Sequence, residues 1–244
     1  MSLTATPRER LEAHDIRVHF VGVKAVDGVD FLLERGEILG LIGPNGAGKT
    51  TLLNVLSGYE KPTTGTVVLS GKEITSFSPD RIARQGLGRT FQNIRVFGRL
   101  NVFENVELGA LGANLPRSEA RSLAWELLRD SHLHERAAER AESLPHGAER
   151  TLGILRAVAM RPRFLLLDEP AAGLNEAEST ELVEFLARLP GRFDLGLLVI
   201  EHNMQVVMQL CERIHVIDHG KTIAIGTPNQ VQKDPAVLSA YLGT

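Results

Sequence analysis

The chain has 244 residues, 43% hydrophobic and 23% charged, which is ordinary for a globular protein with a sizeable core. A formal net charge of -3 excludes the strong positive field typical of nucleic-acid-binding proteins, so we expect no nucleic-acid partner. Cys211 is the only cysteine, which excludes an internal disulfide and a cysteine-based zinc site and favours the reducing cytosol.

The chain carries no segment that predicts secretion or membrane insertion. The first residues are polar and charged, without the apolar centre of a secretion signal. No apolar run approaches the roughly 20 residues needed to span a bilayer. We therefore expect any link to a membrane to run through a partner.

The first third of the chain predicts strands around a glycine-rich turn. Residues 15–35 alternate apolar and polar in pieces, which indicates edge strands, and residues 37–42 form an apolar run that predicts a buried strand. A helix is predicted over 50–57 and is stopped by Gly58, and residues 66–74 predict a hairpin.

The middle of the chain predicts helices. Within 120–128, apolar residues recur at i, i+3, i+4, i+7 and i+8, the spacing of an amphipathic helix, with Ser118 as its predicted N-cap. We interpret residues of about 93–157 as a small helical subdomain inserted into an α/β core.

Strand patterns return in the last third of the chain. Residues 164–167 and 195–200 are apolar runs that end in charged residues, and a helix is predicted between them at about 176–189. That order predicts a parallel crossover, and ligands bind at the carboxyl ends of parallel strands. The tail, 213–242, predicts two more strands and a short closing helix.

These elements predict an α/β fold class: a mostly parallel sheet with helices, an antiparallel β edge and the inserted helical subdomain. We expect a single domain over 1–244, with the α/β core formed by 10–91 and 158–244.

One segment predicts a phosphate-binding loop of the kind found in P-loop ATPase cores. It matches G-x-x-x-x-G-K-[ST] and consists of Gly43, Pro44, Asn45, Gly46, Ala47, Gly48, Lys49 and Thr50, followed by Thr51. Glycines let the backbone approach a triphosphate, Lys49 brings positive charge to the β- and γ-phosphates, and the Thr50 hydroxyl can bind Mg²⁺. The alternative is a glycine-rich turn with an incidental lysine, but the strand before it and the helix after it favour a nucleotide site.

A pair of acids ends the apolar strand at 164–167. Adjacent buried carboxylates are costly without a cation, so we expect a metal ion or a proton nearby. Asp168 suits Mg²⁺, and Glu169 suits general-base activation of the attacking water. The alternative is a surface strand end with solvated acids.

The chain resembles the ABC ATPases, and most of all those of branched-chain amino-acid importers. The motifs GPNGAGKTT, RTFQN, LLLDEP and IEHN, and the ending AYLG, occur in that family's order. The resemblance implies an ATP-hydrolysing subunit of an ABC transporter, with ATP and Mg²⁺ as cofactors. It also implies a peripheral place on the cytoplasmic face of the membrane.

The resemblance also implies roles for single residues. Phe20 stands where the family's adenine-stacking aromatic lies, although an ordinary core residue is an equal alternative. Gln92 would sense Mg²⁺ and the attacking water, and His202 would contact the γ-phosphate. Asn175 stands where many relatives carry aspartate, with a simple turn residue as the alternative, and residues 92–106 would face the membrane subunit.

The family's signature, usually LSGGQ, is altered here. Residues 144–150 read LPHGAER, so Gly147 is kept as a predicted nucleotide contact, whereas Pro145 has no hydroxyl and Ala148 cannot replace a glutamine. His146 could donate to phosphate in place of serine, although a solvent-facing histidine is the simpler interpretation.

The implied partners are transmembrane permease subunits, a second ABC ATPase subunit and, indirectly, a periplasmic or extracellular solute-binding protein. Because the altered signature would weaken one ATP site, our hypothesis is an asymmetric pair with a non-identical mate; a homodimer is the alternative. The resemblance favours branched-chain or related amino acids as the transported solute. Competing functions are a weakly or non-hydrolysing, nucleotide-gated partner cassette in a heterodimer and a soluble, non-transport ABC ATPase. The lack of N-K-x-D disfavours a GTPase.

Overall fold

The computed structural model describes residues 9–91 and 96–242. Gln92, with its predicted roles at Mg²⁺ and the attacking water, lies outside the described residues, as does the start of the 92–106 segment.

The strands, in chain order, are β1 (Arg10–Phe20), β2 (Val23–Glu34), β3 (Ile38–Ile42), β4 (Thr64–Leu69), β5 (Lys72–Glu73), β6 (Leu87–Arg89), β7 (Phe164–Asp168), β8 (Gly196–Ile200), β9 (Arg213–Asp218) and β10 (Lys221–Gly226). The α-helices are α1 (Lys49–Leu56), α2 (Pro79–Arg84), α3 (Val102–Gly112), α4 (Arg117–Asp130), α5 (His146–Ala159), α6 (Glu176–Phe193), α7 (Met204–Leu210), α8 (Pro228–Val231) and α9 (Pro235–Leu242). Short 3₁₀ turns lie at His134–Arg136 and Ala141–Ser143.

The strands form two sheets. One is antiparallel, in the order β2-β1-β4-β5, and the other runs β10-β9-β3-β8-β7-β6. Neighbours from β9 to β6 are parallel, and only β10 pairs in the antiparallel sense. The predicted α/β class with a mostly parallel sheet is confirmed, and the predicted antiparallel strands form a sheet of their own.

The parallel sheet is buried on both faces because its strands are apolar throughout. Every residue of β3 and β8 is buried, as are the first four of β7. Successive side chains of a strand point to opposite faces, so Leu165 and Leu167 join one hydrophobic cluster and Leu166 joins the other. The first cluster contains the helices α3 to α6, and the second contains α1 and the antiparallel sheet.

The helical stretch between β6 and β7 follows the predicted pattern with one error. The apolar stripe of α4 is fully inside the cluster with α3 and α5. Ser118 is not the N-cap, however. Pro116, with an extended backbone (ψ 144), takes that position, and the helix begins at Arg117, which places Ser118 inside the first turn.

Candidate active site

The predicted site residues lie at one edge of the parallel sheet. The glycine-rich loop follows β3, Asp168 and Glu169 end β7, and His202 follows β8. Asp168 pairs in register with Ile200, and Ile200 pairs with Leu41, so these strand ends lie side by side. The parallel topology therefore brings together groups that are far apart in sequence.

The glycines of the loop are required by close backbone approaches. A Cβ atom at Gly43 would lie 1.9 Å from the Ile217 carbonyl oxygen. Gly48, at φ 104, precedes α1, and a Cβ there would lie 2.3 Å from the Ala25 carbonyl oxygen. The loop can hold this shape only without side chains at these positions.

The first turn of α1 is suited to an anion. It has no side-chain N-cap hydrogen bond and no acidic residue, so its backbone N–H groups and the positive end of the helix are available to phosphate. Around it, Asn45, Gly46 and Thr50 are exposed, Pro44, Gly48 and Thr51 are half-buried, and Ala47 is buried.

Lys49 lies along the loop with its ammonium group held by backbone oxygens. Its Nζ donates to the carbonyl oxygens of Gly43 at 2.7 Å and Pro44 at 2.9 Å. Burial lowers the pKa of Lys49, while the negative charges of Glu169 and Asp168 act against this shift. The lysine and the two acids therefore belong to the same electrostatic environment.

Asp168 has an arginine partner that the sequence interpretation missed. Arg89, at the end of β6, lies 3.4 Å from Asp168 Oδ2 and also donates to Asn54 Oδ1 at 2.7 Å and Ser57 Oγ at 2.9 Å. The sequence shows only an arginine at the start of the RTFQN stretch. Its proximity to Asp168 becomes known only from the pairing of β6 with β7.

Burial sets the protonation tendency of Asp168. Desolvation raises its pKa and nearby Glu169 adds to this shift, whereas Arg89 and Lys49 oppose it. Arg89 and Lys49 therefore place positive charge beside Asp168, whereas the metal ion or proton expected there stays a prediction.

The oxygen donors at this edge fit Mg²⁺ held jointly with phosphates. The exposed Thr50 hydroxyl and the Asp168 carboxylate are hard donors. Among residues 9–91 and 96–242, no cluster of three or more His, Cys, Asp or Glu side chains could hold a metal by itself. Such a donor set is typical of Mg²⁺, which commonly combines one or two carboxylates with substrate phosphates and water.

Glu169 and His202 approach each other at the centre of the edge. His202 Nδ1 lies 3.7 Å from Glu169 Oε1, and the histidine side chain is 62% exposed. Glu169 has a left-handed backbone (φ 50), and its N–H donates to the Ile200 carbonyl oxygen at 2.9 Å. The histidine is therefore open to solvent, whereas the Glu169 side chain is 26% exposed.

Phe20 is not a core residue, so that alternative interpretation is wrong. Its side chain is 49% exposed at the end of β1, beside the exposed Val21 and Val23 of the hairpin. The β2 strand continues from this hairpin to Ala25, whose carbonyl oxygen lies against Gly48 of the loop. An exposed aromatic ring is compatible with stacking on a base.

The altered signature lies at the start of α5 and contacts the start of α6. Pro145 is the N-cap, His146 is exposed, and Gly147 is buried. A Cβ atom at Gly147 would lie 2.7 Å from Glu178 Oε1, so the glycine is also required for this helix contact.

Within residues 9–91 and 96–242, no helix combines the length and apolar character needed to cross a bilayer.

Comparison with known proteins agrees with this geometry. The chain matches the family model described as ABC transporter over residues 26–172, and the branched-chain amino acid ATP-binding cassette transporter model over residues 221–244. It is 39% identical to the high-affinity branched-chain amino acid transport ATP-binding protein BraF of Pseudomonas aeruginosa, over 97% of this chain and 98% of that protein. It is 40% identical to LivG of Escherichia coli K12, which carries the same description, over 96% and 97% of the two chains.

A solved structure extends the likeness to three dimensions. The ADP conformation of MJ1267, an ATP-binding cassette of an ABC transporter, superposes with a TM-score of 0.85 at 28% identity, covering 97% of this chain and 99% of that one. The chain therefore belongs to the ABC transporter family, as an ATP-binding subunit whose ATPase activity is coupled to transport.

Proposed function

We propose that the sheet edge formed by β3, β7 and β8 is where this subunit binds and hydrolyses ATP. The observation that carries the proposal is the convergence of Lys49, Asp168, Glu169 and His202 at neighbouring strand ends. Residues 43–51 and Lys49 bind the phosphates, and Phe20 stacks on the adenine. Gly147 contacts the nucleotide held by the opposite subunit.

Within this proposal, Thr50 and Asp168 hold Mg²⁺, with Gln92 from outside the described residues as a further contact. The ion supplies positive charge against the phosphate oxygens. Glu169 accepts the proton of the attacking water, and His202 orients that water and donates to the γ-phosphate. The 3.7 Å separation of Glu169 and His202 supports their joint action on one small molecule.

The substitution Glu169→Gln tests the proposal. The amide keeps the shape of the side chain but cannot accept the proton, so we expect intact ATP binding and a loss of turnover of roughly 100-fold or more. The control is Glu184→Gln, which changes an exposed carboxylate on α6. Near-normal turnover by the Glu169→Gln protein would remove Glu169 from the base role.

We further propose that residues 93–157 form a helical subdomain that moves relative to the core formed by 10–91 and 158–244. ATP would close two cassettes, because the γ-phosphate adds contacts that exist only in the closed pair. Residues 92–106 transmit this motion to the permease subunits. The mate is a second, non-identical ABC ATPase subunit, and the complex works at the cytoplasmic face of the membrane.

The proposed cargo is a branched-chain amino acid or a related solute. BraF and LivG, both named for branched-chain amino acid transport, support this choice. A periplasmic or extracellular solute-binding protein would deliver the solute to the permease. Isolating the chain with its membrane subunits and that receptor, and then screening the receptor against amino acids, tests the proposal. A receptor that ignores leucine, isoleucine and valine would refute it.

A further inference from the structure

The backbone of Glu169 has an uncommon conformation that is fixed on both sides. A left-handed φ of 50 is unfavourable for a glutamate and persists only where the surroundings impose it. The Glu169 N–H donates to the Ile200 carbonyl oxygen at 2.9 Å, and the Glu169 carbonyl oxygen accepts a hydrogen bond from Arg150 Nη1. The same carbonyl oxygen also accepts from the Ala172 N–H at 3.2 Å, so Arg150 is the side-chain contact among three that hold the Glu169 backbone.

Arg150 makes this contact from a buried position, which is unfavourable for a charged side chain. Its side chain is only 7% exposed, and its Nε finds no hydrogen-bond partner among residues 9–91 and 96–242. Burial lowers the pKa of Arg150, while Glu201 and Glu169 act in the opposite direction. A buried guanidinium with incomplete hydrogen bonding indicates that its position, rather than the satisfaction of its own donors, is the feature retained.

Glu201 is a second buried group, and it holds the loop that follows Glu169. Glu201 is 1% exposed, and its Oε1 accepts from the Ala171 N–H at 2.7 Å. Its Oε2 accepts from the N–H groups of His202 at 3.2 Å and Asn203 at 3.4 Å. Glu201 thus joins the loop after Glu169 to the loop that carries His202, and its charge also favours the buried Arg150.

We propose that Arg150 is a positioning residue that keeps the Glu169 carboxylate directed at the attacking water. Arg150 lies one turn after Gly147 on α5, so the two residues move together. A shift of α5, whose start is the altered signature, therefore changes the geometry of Glu169 in the same chain. The inference rests on the proposed base role of Glu169.

The test compares Arg150→Met and Arg150→Lys with a matched arginine on the same helix. Arg156 is also largely desolvated, but its guanidinium lies over the Phe97 ring at 4.8 Å. Each full-length variant is assembled with its partners, and kcat, KM for ATP, binding of a non-hydrolysable ATP analogue and Tm are measured.

We expect Arg150→Met to lower kcat by roughly 10- to 100-fold, as a small misplacement of a catalytic group does, with KM and analogue binding within about twofold of wild type. Arg150→Lys keeps a charged donor and should recover part of the rate. Because Phe97 belongs to the segment 92–106 proposed to face the permease, Arg156→Met is also measured in the isolated chain, where it should keep kcat within about twofold of the isolated wild type. In a Glu169→Gln background, Arg150→Met should add little further loss, because both changes act on one group.

Wild-type kcat in a folded Arg150→Met protein overturns the proposal, as does an equal loss of rate and Tm in the Arg150 and Arg156 variants. Should Arg150→Met not fold, Arg150→Lys decides, and a wild-type rate there has the same meaning. Normal turnover by Glu169→Gln removes the base role and the positioning role together. A stalled Glu169→Gln beside a fully active Arg150→Met removes only the positioning role.

Discussion

At the scale of single residues, Lys49 links the loop and the acids. In the described structure its ammonium group donates to the carbonyl oxygens of Gly43 and Pro44. The negative charges of Glu169 and Asp168 favour the protonated form of Lys49. A bound triphosphate offers stronger, charged acceptors than backbone carbonyls do. In the proposed site, Lys49 is therefore already held where phosphate oxygens would bind.

Lys49→Ala should weaken ATP binding by roughly 10- to 100-fold, because a hydrogen bond to a charged group is worth about 1.5–3 kcal/mol. Titration with a labelled ATP analogue measures the effect. Lys72→Ala is the control, since Lys72 is an exposed lysine on β5. Affinity within twofold of wild type for Lys49→Ala would contradict the assignment.

The sequence predicts Lys49 but not Arg89, and the difference is physical. Lys49 belongs to a motif whose spacing is fixed by local backbone geometry. Arg89 reaches Asp168 only because β6 pairs with β7, a contact between residues distant along the chain. Arg150 and Glu201 were missed for the same reason, since each acts on a backbone group of another segment.

At the scale of elements, apolar strands were easier to predict than helices. The runs that became β3, β7 and β8 stand out because both faces of the sheet are buried. Helix α3 has the apolar Leu108 and Leu111 on its exposed side and the polar Asn105 and Glu107 among its buried residues, which obscures its helical period in the sequence. The helix predicted at about 176–189 continues to Phe193 because Pro190, buried within it, does not end it.

Asn175 is the N-cap of α6 and ends the loop that follows Asp168 and Glu169. Its side chain accepts from the Glu178 N–H at 3.0 Å, and Glu178 Oε2 accepts from the Asn175 N–H at 3.0 Å, a reciprocal capping box. Asn175 is therefore an N-cap and not the simple turn residue of the alternative interpretation, and the aspartate that many relatives carry at this position would serve equally well.

Asn175→Ala should lower the free energy of unfolding by about 1 kcal/mol, because the Glu178 N–H loses its acceptor. Urea unfolding measures the change. Asn175→Asp keeps an acceptor and should remain within a few tenths of wild type. Equal losses in the two variants would show that the cap is not the cause.

At the scale of the whole molecule, His215 packs between the two sheets. Its ring, on β9, stacks on Phe31 of β2 with centroids 6.1 Å apart, and its Nε2 lies 2.7 Å from Thr222 Oγ1. Burial, aided by the charge of Arg213, lowers the pKa of His215 to about 4. The neutral imidazole is therefore part of the contact that joins the sheets.

This shift predicts a loss of stability in acid. The unfolded chain, with a histidine pKa near 6.5, binds the proton first as the pH falls, so stability is full above about 6.5 and declines towards 4. Between pH 8 and pH 5 the loss from this residue is about 2 kcal/mol. Urea unfolding at both pH values should show a smaller loss of unfolding free energy for His215→Gln than for the wild type. The control His219→Gln, at an exposed histidine, should lose as much as the wild type.

The altered signature, residues 144–150, would affect how strongly each of two paired cassettes binds ATP. Pro145 offers no N–H at the N-cap, and Ala148 has no polar side chain, so the start of α5 presents fewer donors than LSGGQ. Each lost hydrogen bond to a charged phosphate costs about 1.5–3 kcal/mol, or roughly 10- to 100-fold in affinity. If two cassettes pair as proposed, the ATP site on the mate, which this signature would close, should therefore be the weaker of the two.

In the complex with a non-identical mate, Glu169→Gln in this chain should therefore abolish most ATP turnover. The equivalent change in the mate should leave most of it, because the mate's own signature closes this chain's site. Steady-state hydrolysis by the two singly substituted complexes measures the difference. The isolated chain should turn over slowly and without cooperativity, since both sites of a homodimer would carry the altered signature. Rapid, cooperative hydrolysis by the chain alone, or equal losses from the two substitutions, would rule out the asymmetric pair.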